Sequence, residues 1–221
     1  MARAATQHPR PTPLSRVLDG NEAQERVTPI DVFKLARKKW TAGERLDIGR
    51  LALELGIGRA TVFRWVGTRE NLYGEIISAG FTRYLERASA DATGSGLDRM
   101  FDGIERLLRA LVASTPLRRF VTEDTEFALR VLTSKHSPVQ YRCVAAFRAA
   151  IDEQVAAGTM EPALPPEELA YILTRIVESF LYRDVITGGE PDIDAALKAI
   201  QILCIARPEA LSSRRGRRAS L

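Results

Sequence analysis

Residues 47–66 read DIGRLALELGIGRATVFRWV. Ile48, Leu51, Ala52 and Leu55 recur at the spacing of one helix face, Asp47 ahead of them is a helix-capping residue, and Gly56-Ile57-Gly58 breaks the run. The pattern predicts a second, short helix from about Arg59 to Val66, closed by Gly67. Two helices joined by a tight Gly-containing turn, the second short and polar on its outer side, form a helix-turn-helix unit. On a helical wheel Val62 and Val66 point toward Leu51 and Leu55, which leaves Ala60 and Arg64 opposite and Thr61 and Phe63 on the flanks. Those outward residues suit a DNA major groove. Arg64 can place two parallel hydrogen bonds on a guanine edge or pair with phosphate, and Ala60 lets the helix approach closely. Arg59, Thr61 and Arg69 suit phosphate contacts that set register. Trp65 divides evenly between a core role and the DNA face.

Working outward, Thr28, Pro29 and Asp31 give a helix start, with Val32, Phe33, Ala36 and Trp40 on one face until Thr41 and Gly43. Thr68 caps a longer helix carrying Leu72, Ile76, Phe81, Tyr84 and Leu85, and Gly94-Ser95-Gly96 breaks the chain again. Leu97, Met100, Phe101, Ile104, Leu107, Leu108 and Leu111 form one stripe that stops before Pro116. Further helices are predicted around Phe120 to Leu132, from Val139 to Ala157, from Pro165-Pro166 to about Ile186, and from Ile193 to Ile205. No segment alternates with period two for long enough to be a strand, so the fold class is all-α. The expected organisation is a flexible arm over 1–26, a DNA-binding domain over 27–87, a helical ligand-binding and dimerisation domain over 88–211, and a basic tail over 212–221.

The charge distribution supports that division. The net charge of +4 conceals +5 over residues 1–87, −5 over 88–211 and +4 over the tail with Arg214, Arg215, Arg217 and Arg218. A basic front joined to an acidic back is what one end meeting a polyanion produces. Histidine is limited to His8 and His136, so several imidazoles cannot meet in a metal site, and neither a metal nor a cofactor is expected. Cys143 and Cys204 sit singly in apolar helical patterns, as small buried hydrophobes do. No apolar run reaches the roughly 18 to 20 residues of a membrane span, and the opening MARAATQHPRPTPLSR lacks a signal-peptide core, so a cytoplasmic protein without membrane contact is expected. Gly56, Gly58 and Thr61 do not make a dinucleotide loop, because the third glycine is missing and a helix precedes them.

With Ala36, Trp40 and Gly43, then Leu51, Ala52, Gly56 and Ile57, then Thr61, Val62, Phe63, Val66, Arg69 and Leu72, the first part of the chain resembles the TetR family of bacterial transcriptional regulators over about 45 residues. It departs from the family pattern at Gly58, where a capping Ser is usual, at Phe63, where Tyr is usual, and at Trp65, where His or Tyr is common. Residues Glu167 to Asp194, with Arg175, Glu178, Phe180, Tyr182 and Gly188, resemble the QsdR type, regulators of lactone-signal degradation. The resemblance implies a homodimer paired through the last two helices, an operator on double-stranded DNA, and release of that operator by a small-molecule effector; most members are repressors, and quorum sensing is the setting of the QsdR type.

An effector cavity is expected to be mostly apolar with a few convergent polar groups. Met100, Phe101, Ile104, Leu108, Phe120, Phe127, Phe147, Ile176 and Phe180 are the apolar candidates. Tyr171, Arg175 and Glu178 lie on one helix face and are the candidate polar end, with an internal ion pair as the equal alternative. Together with the resemblance, these suggest an amphipathic effector such as an acyl lactone. Two rival readings are an enzyme acting on a small hydrophobic substrate, against which no nucleophile, base and orienter stand at recognisable spacing, and a non-specific DNA-packaging protein.

Overall fold

The computed structural model describes residues 27–206. The expected arm (1–26), the basic tail (212–221) and residues 207–211 of the back half lie outside them. The described residues form eleven α-helices and no strand. In chain order they are α1 (Pro29–Ala42), α2 (Ile48–Glu54), α3 (Arg59–Val66), α4 (Arg69–Asp91), α5 (Gly96–Val112), α6 (Thr115–Glu123), α7 (Thr125–Thr133), α8 (Val139–Ala156), α9 (Pro166–Leu181), α10 (Arg183–Thr187) and α11 (Ile193–Ile205).

Local chemistry sets most of the helix ends. At the start of α1 the Thr28 N–H and hydroxyl both donate to the Asp31 carboxylate (2.9 and 2.6 Å), which holds that acid below its ordinary range. The Asp47 carboxylate accepts the Arg50 N–H at 2.8 Å and Thr68 Oγ1 accepts the Asn71 N–H at 3.0 Å, so α2 and α4 begin where the capping residues predict. Gly43 ends α1 in the left-handed region at φ 80°.

The 23-residue α4 is the spine, about 34 Å long at 1.5 Å per residue. It packs against α1 and α3 and also against α5, α7 and α8. One continuous core follows from this, from Val32, Leu51 and Val62 through Leu108, Leu132 and Ile151 to Leu173 and Ile200. Gly74 lets α4 lie directly on the turn before α8: a Cβ there would stand 2.5 Å from Ser137 Cβ and 2.7 Å from Pro138 Cδ. The turn between α4 and α5 closes on Asp102, whose carboxylate accepts the Thr93 N–H at 2.7 Å and Arg106 Nε–H at 2.9 Å.

One element departs from the sequence expectation. The helix predicted from Pro166 to about Ile186 is two helices, broken at Tyr182 (φ −106°, ψ 19°). Tyr182 is buried there, which pushes its hydroxyl well above the ordinary phenol value, and Asp184 just beyond pairs with Arg118 of α6. The break coincides with the burial of Tyr182 and the pairing of Asp184 with Arg118, so tertiary contacts override a helical pattern that is unbroken in sequence.

Candidate nucleic-acid interface

The turn between α2 and α3 is built from backbone. Gly56 takes φ 65°, which suits a residue without Cβ, and the Ile57 N–H returns to the Ala52 carbonyl at 3.0 Å. Val62 and Val66 are buried against the core that contains Leu51, so α3 has one fixed rotation about its axis. That rotation leaves Arg59, Ala60, Phe63 and Arg64 exposed, Thr61 half-buried at the edge, and Trp65 half-buried against the core. Arg59 holds its guanidinium 5.6 Å from the centroid of the Phe63 ring. The unit is braced from behind by Lys39 of α1, which pairs with Glu44 at 3.0 Å and Glu54 at 2.8 Å.

Beside this face lies an open hollow of about 480 Å³, lined by Arg45, Leu46, Asp47, Ile48, Arg50, Arg59, Phe63 and Arg69. Four arginines against one acid make it a concave positive surface, the form that receives a phosphate backbone. No local sequence pattern marks Arg45 and Arg50; the basic excess of residues 1–87 is the one sequence signal that includes them, and only the fold shows that these two stand beside α3.

Arg69 behaves differently from the other predicted phosphate residues. Its guanidinium turns inward, 4.4 Å from the Phe127 ring centroid and 5.3 Å from that of Tyr73. Those rings belong to a cluster in which Trp40 and Phe120 also meet Tyr73 edge-on and face-on, at 5.6 and 4.9 Å. The Tyr73 hydroxyl accepts the Leu46 N–H at 3.0 Å, tying the loop before α2 to the spine.

The expected effector residues do not gather around one cavity. Met100, Phe101, Ile104 and Leu108 are buried along α5, whereas Phe120 and Phe127 belong to the aromatic cluster under α1. Phe147, Ile176 and Phe180 are half-buried on α8 and α9. Tyr171 is 51% exposed; Arg175 stands 5.9 Å from its ring centroid and pairs with Glu178, which is the internal-pair alternative for these residues. A cleft of about 170 Å³ between α4, α5 and α8 does include Met100 and Ile104. Its other walls are apolar Leu85, Ala92, Leu107 and Ala150, with Ser89, Arg99, Glu153 and buried Gln154 as polar groups. Among the described residues no cluster of His, Cys, Asp and Glu is placed to hold a metal ion, and no helix is long and apolar enough to cross a membrane.

Residues 95–204 match the family described as Tetracyclin repressor-like, C-terminal domain. The chain is similar in structure to the transcriptional repressor QsdR from R. erythropolis, a TetR-family protein, with 27% identity and a TM-score of 0.75 over 81% of this chain and 95% of that one. The chain belongs to the TetR family. The TetR-family repressor AlkX from a Dietzia species, implicated in biodegradation of n-alkanes, shares the fold at 20% identity and a TM-score of 0.53, over 82% of this chain and 96% of that one. No curated protein sequence matches the chain. As a TetR-family member the protein is a ligand-responsive transcriptional regulator and not an enzyme.

Proposed function

We propose that the protein is a repressor that grips an operator through α3 and the adjacent arginine hollow and releases it when a small amphipathic molecule binds the helical domain. The observation that carries this reading is the fixed rotation of α3: Val62 and Val66 are locked inward while Arg59, Ala60, Phe63 and Arg64 face out, Arg59 lining the hollow together with Arg45 and Arg50. In this reading Arg64 and Ala60 meet base edges. Arg59, Thr61, Arg45 and Arg50 hold phosphates, and Trp65 supports the helix from its half-buried side.

One helix-turn-helix reads too few base pairs for useful specificity, so the working form is a homodimer with two-fold symmetry. Support for pairing through α9 and α11 comes from Ile202 and Ile205, 69% and 60% exposed on α11, and from half-buried Ile172, Ile176 and Phe180 on α9. The division into a DNA-binding part (27–87) and a ligand-binding and dimerisation part (88–211) places both roles on one chain linked by α4. The effector reading rests on the cleft lined by Met100, Ile104 and Gln154, which combines an apolar wall with a buried amide. An acyl lactone, as for QsdR-type regulation of quorum signals, is one such molecule. The setting is the cytoplasm, where operator and effector meet.

The test is a footprint on DNA flanking the gene, paired with binding to random DNA over a range of salt. A protected two-fold site bound at least about 10³-fold more tightly than random DNA is the expected result. Equal binding to both would leave a non-specific packaging protein instead. A panel of acyl lactones and fatty acids then reports the effector: a true one raises Tm with the logarithm of its concentration and releases the footprint over the same range.

A further inference from the structure

Arg69 is the first residue of α4, and only Gly67 and Thr68 separate it from the end of α3. Its side chain lines the arginine hollow beside α3, yet its guanidinium stands over Phe127 of α7 at 4.4 Å and over Tyr73 at 5.3 Å. The hydrogen-bonding of this group is poor. Nε is buried with no partner, and one Nη reaches the Tyr73 hydroxyl only at 3.5 Å. A planar, weakly hydrated cation rests readily on an aromatic face, but a phosphate offers it stronger, charge-assisted hydrogen bonds. Phe127 does not depend on Arg69 for its place. Arg130 lies over the same ring at 5.5 Å and is tied to Glu70 of α4 at 3.4 Å, and Phe120 meets the ring edge-on at 5.9 Å.

We propose that Arg69 is a shared group for which the Phe127 ring and a DNA phosphate compete, so that the position of α7 sets how strongly the regulator holds the DNA backbone. This rests on the DNA-binding reading above. It assigns α7, inside the segment that matches the TetR C-terminal family, a direct contact with a group of the DNA-facing surface. When α7 presents the ring squarely, the guanidinium is retained and one phosphate contact per protomer is lost. When α7 withdraws, the contact becomes available.

The inference is tested with a fluorescent random-sequence duplex, which needs no knowledge of the operator, titrated between low and moderate salt. Phe127→Leu keeps the site apolar and removes the ring; it is expected to tighten binding about two- to fivefold, the value of a modest cation–π contact. Arg69→Ala is expected to weaken binding and to flatten the slope of log Kobs against log salt by about 0.9 per arginine lost. In the Arg69→Ala background, Phe127→Leu should change nothing. Because Phe127→Leu can disturb folding, a second measurement uses the unsubstituted protein. The ring-current-shifted Nε–H proton of Arg69, assigned by its loss in Arg69→Lys, should move toward the ordinary arginine position as duplex is added. A signal unmoved at saturating DNA, or an equal effect of Phe127→Leu with and without Arg69, overturns the proposal and leaves DNA binding itself intact. No binding by the unsubstituted protein to random or flanking DNA would remove both.

Discussion

On α3 each side chain that leaves the core does so according to its place on the helical wheel, whereas in the back half the wheel positions of α5, α8 and α9 say little about which residues meet. Val62 and Val66, the buried residues of α3, set the orientation of its eight residues, so Ala60 and Arg64 are exposed as the period requires. The expected effector residues sit on five helices, and their meeting depends on how α4, α5, α6, α7, α8 and α9 cross. A functional surface carried by one helix is readable from one helix. A cavity is a property of distances between helices, and in this protein the apolar set has been divided among a closed core, an aromatic cluster and a small cleft.

The sharpest test of that contrast lies within α5. Leu108 is 1% exposed and lines none of the clefts described above, so Leu108→Ala should cost about 2–5 kcal/mol of unfolding free energy. Met100, on the same helix, forms part of the wall of the α4–α5–α8 cleft, and Met100→Ala should sit at or below the lower end of that range, since an open wall loses fewer contacts. Equal losses in urea denaturation would mean that Met100 is as deeply packed as Leu108 and that the cleft is not a preformed site.

On the other side of the comparison, Arg64→Ala should leave stability within about 0.5 kcal/mol of the parent because the side chain is exposed. The same substitution should cost about 1–3 kcal/mol of operator binding at one base position per half-site. Equal losses on operator and random DNA would move Arg64 into the phosphate-holding set.

A smaller effect is expected where α6 meets α10. The Arg118 guanidinium beside Asp184 holds its carboxyl below the usual carboxylate range. A carboxyl lowered on folding stabilises the native state fully above the unfolded value of about 4, and that contribution fades as pH falls through the lowered native value. Asp184→Asn should therefore reduce Tm at neutral pH and narrow the gap to the parent as the solution is acidified below about pH 4. A gap that is constant with pH would show that the charge of Asp184 is not the source of the pair's contribution.

The slightest consequence concerns Cys143, whose thiol burial pushes up to about 12. It should resist thiol reagents at neutral pH in the folded protein and react promptly in denaturant, because only the thiolate attacks. Rapid labelling of the native protein would expose an opening of the α8–α9 region that the packed core does not suggest.

The sequence alone determined what depends on neighbours three or four residues apart. The caps at Thr28, Asp47 and Thr68, the break at Gly56, the inward pair Val62 and Val66, the stripe of α5 and the all-α class are all of this kind, because backbone hydrogen bonds and helical period are local. Tertiary structure decided the rest. It stopped α9 at Tyr182 so that this ring could be buried and Asp184 could reach Arg118, 66 residues away. It brought Arg45 and Arg50 beside α3, and it turned Arg69 toward Phe127 instead of leaving it on the exposed face. An arginine at a helix start reads as a surface cation in sequence; whether an aromatic ring lies within reach of its long side chain is fixed only when α7 packs against α4, through contacts that no local pattern encodes.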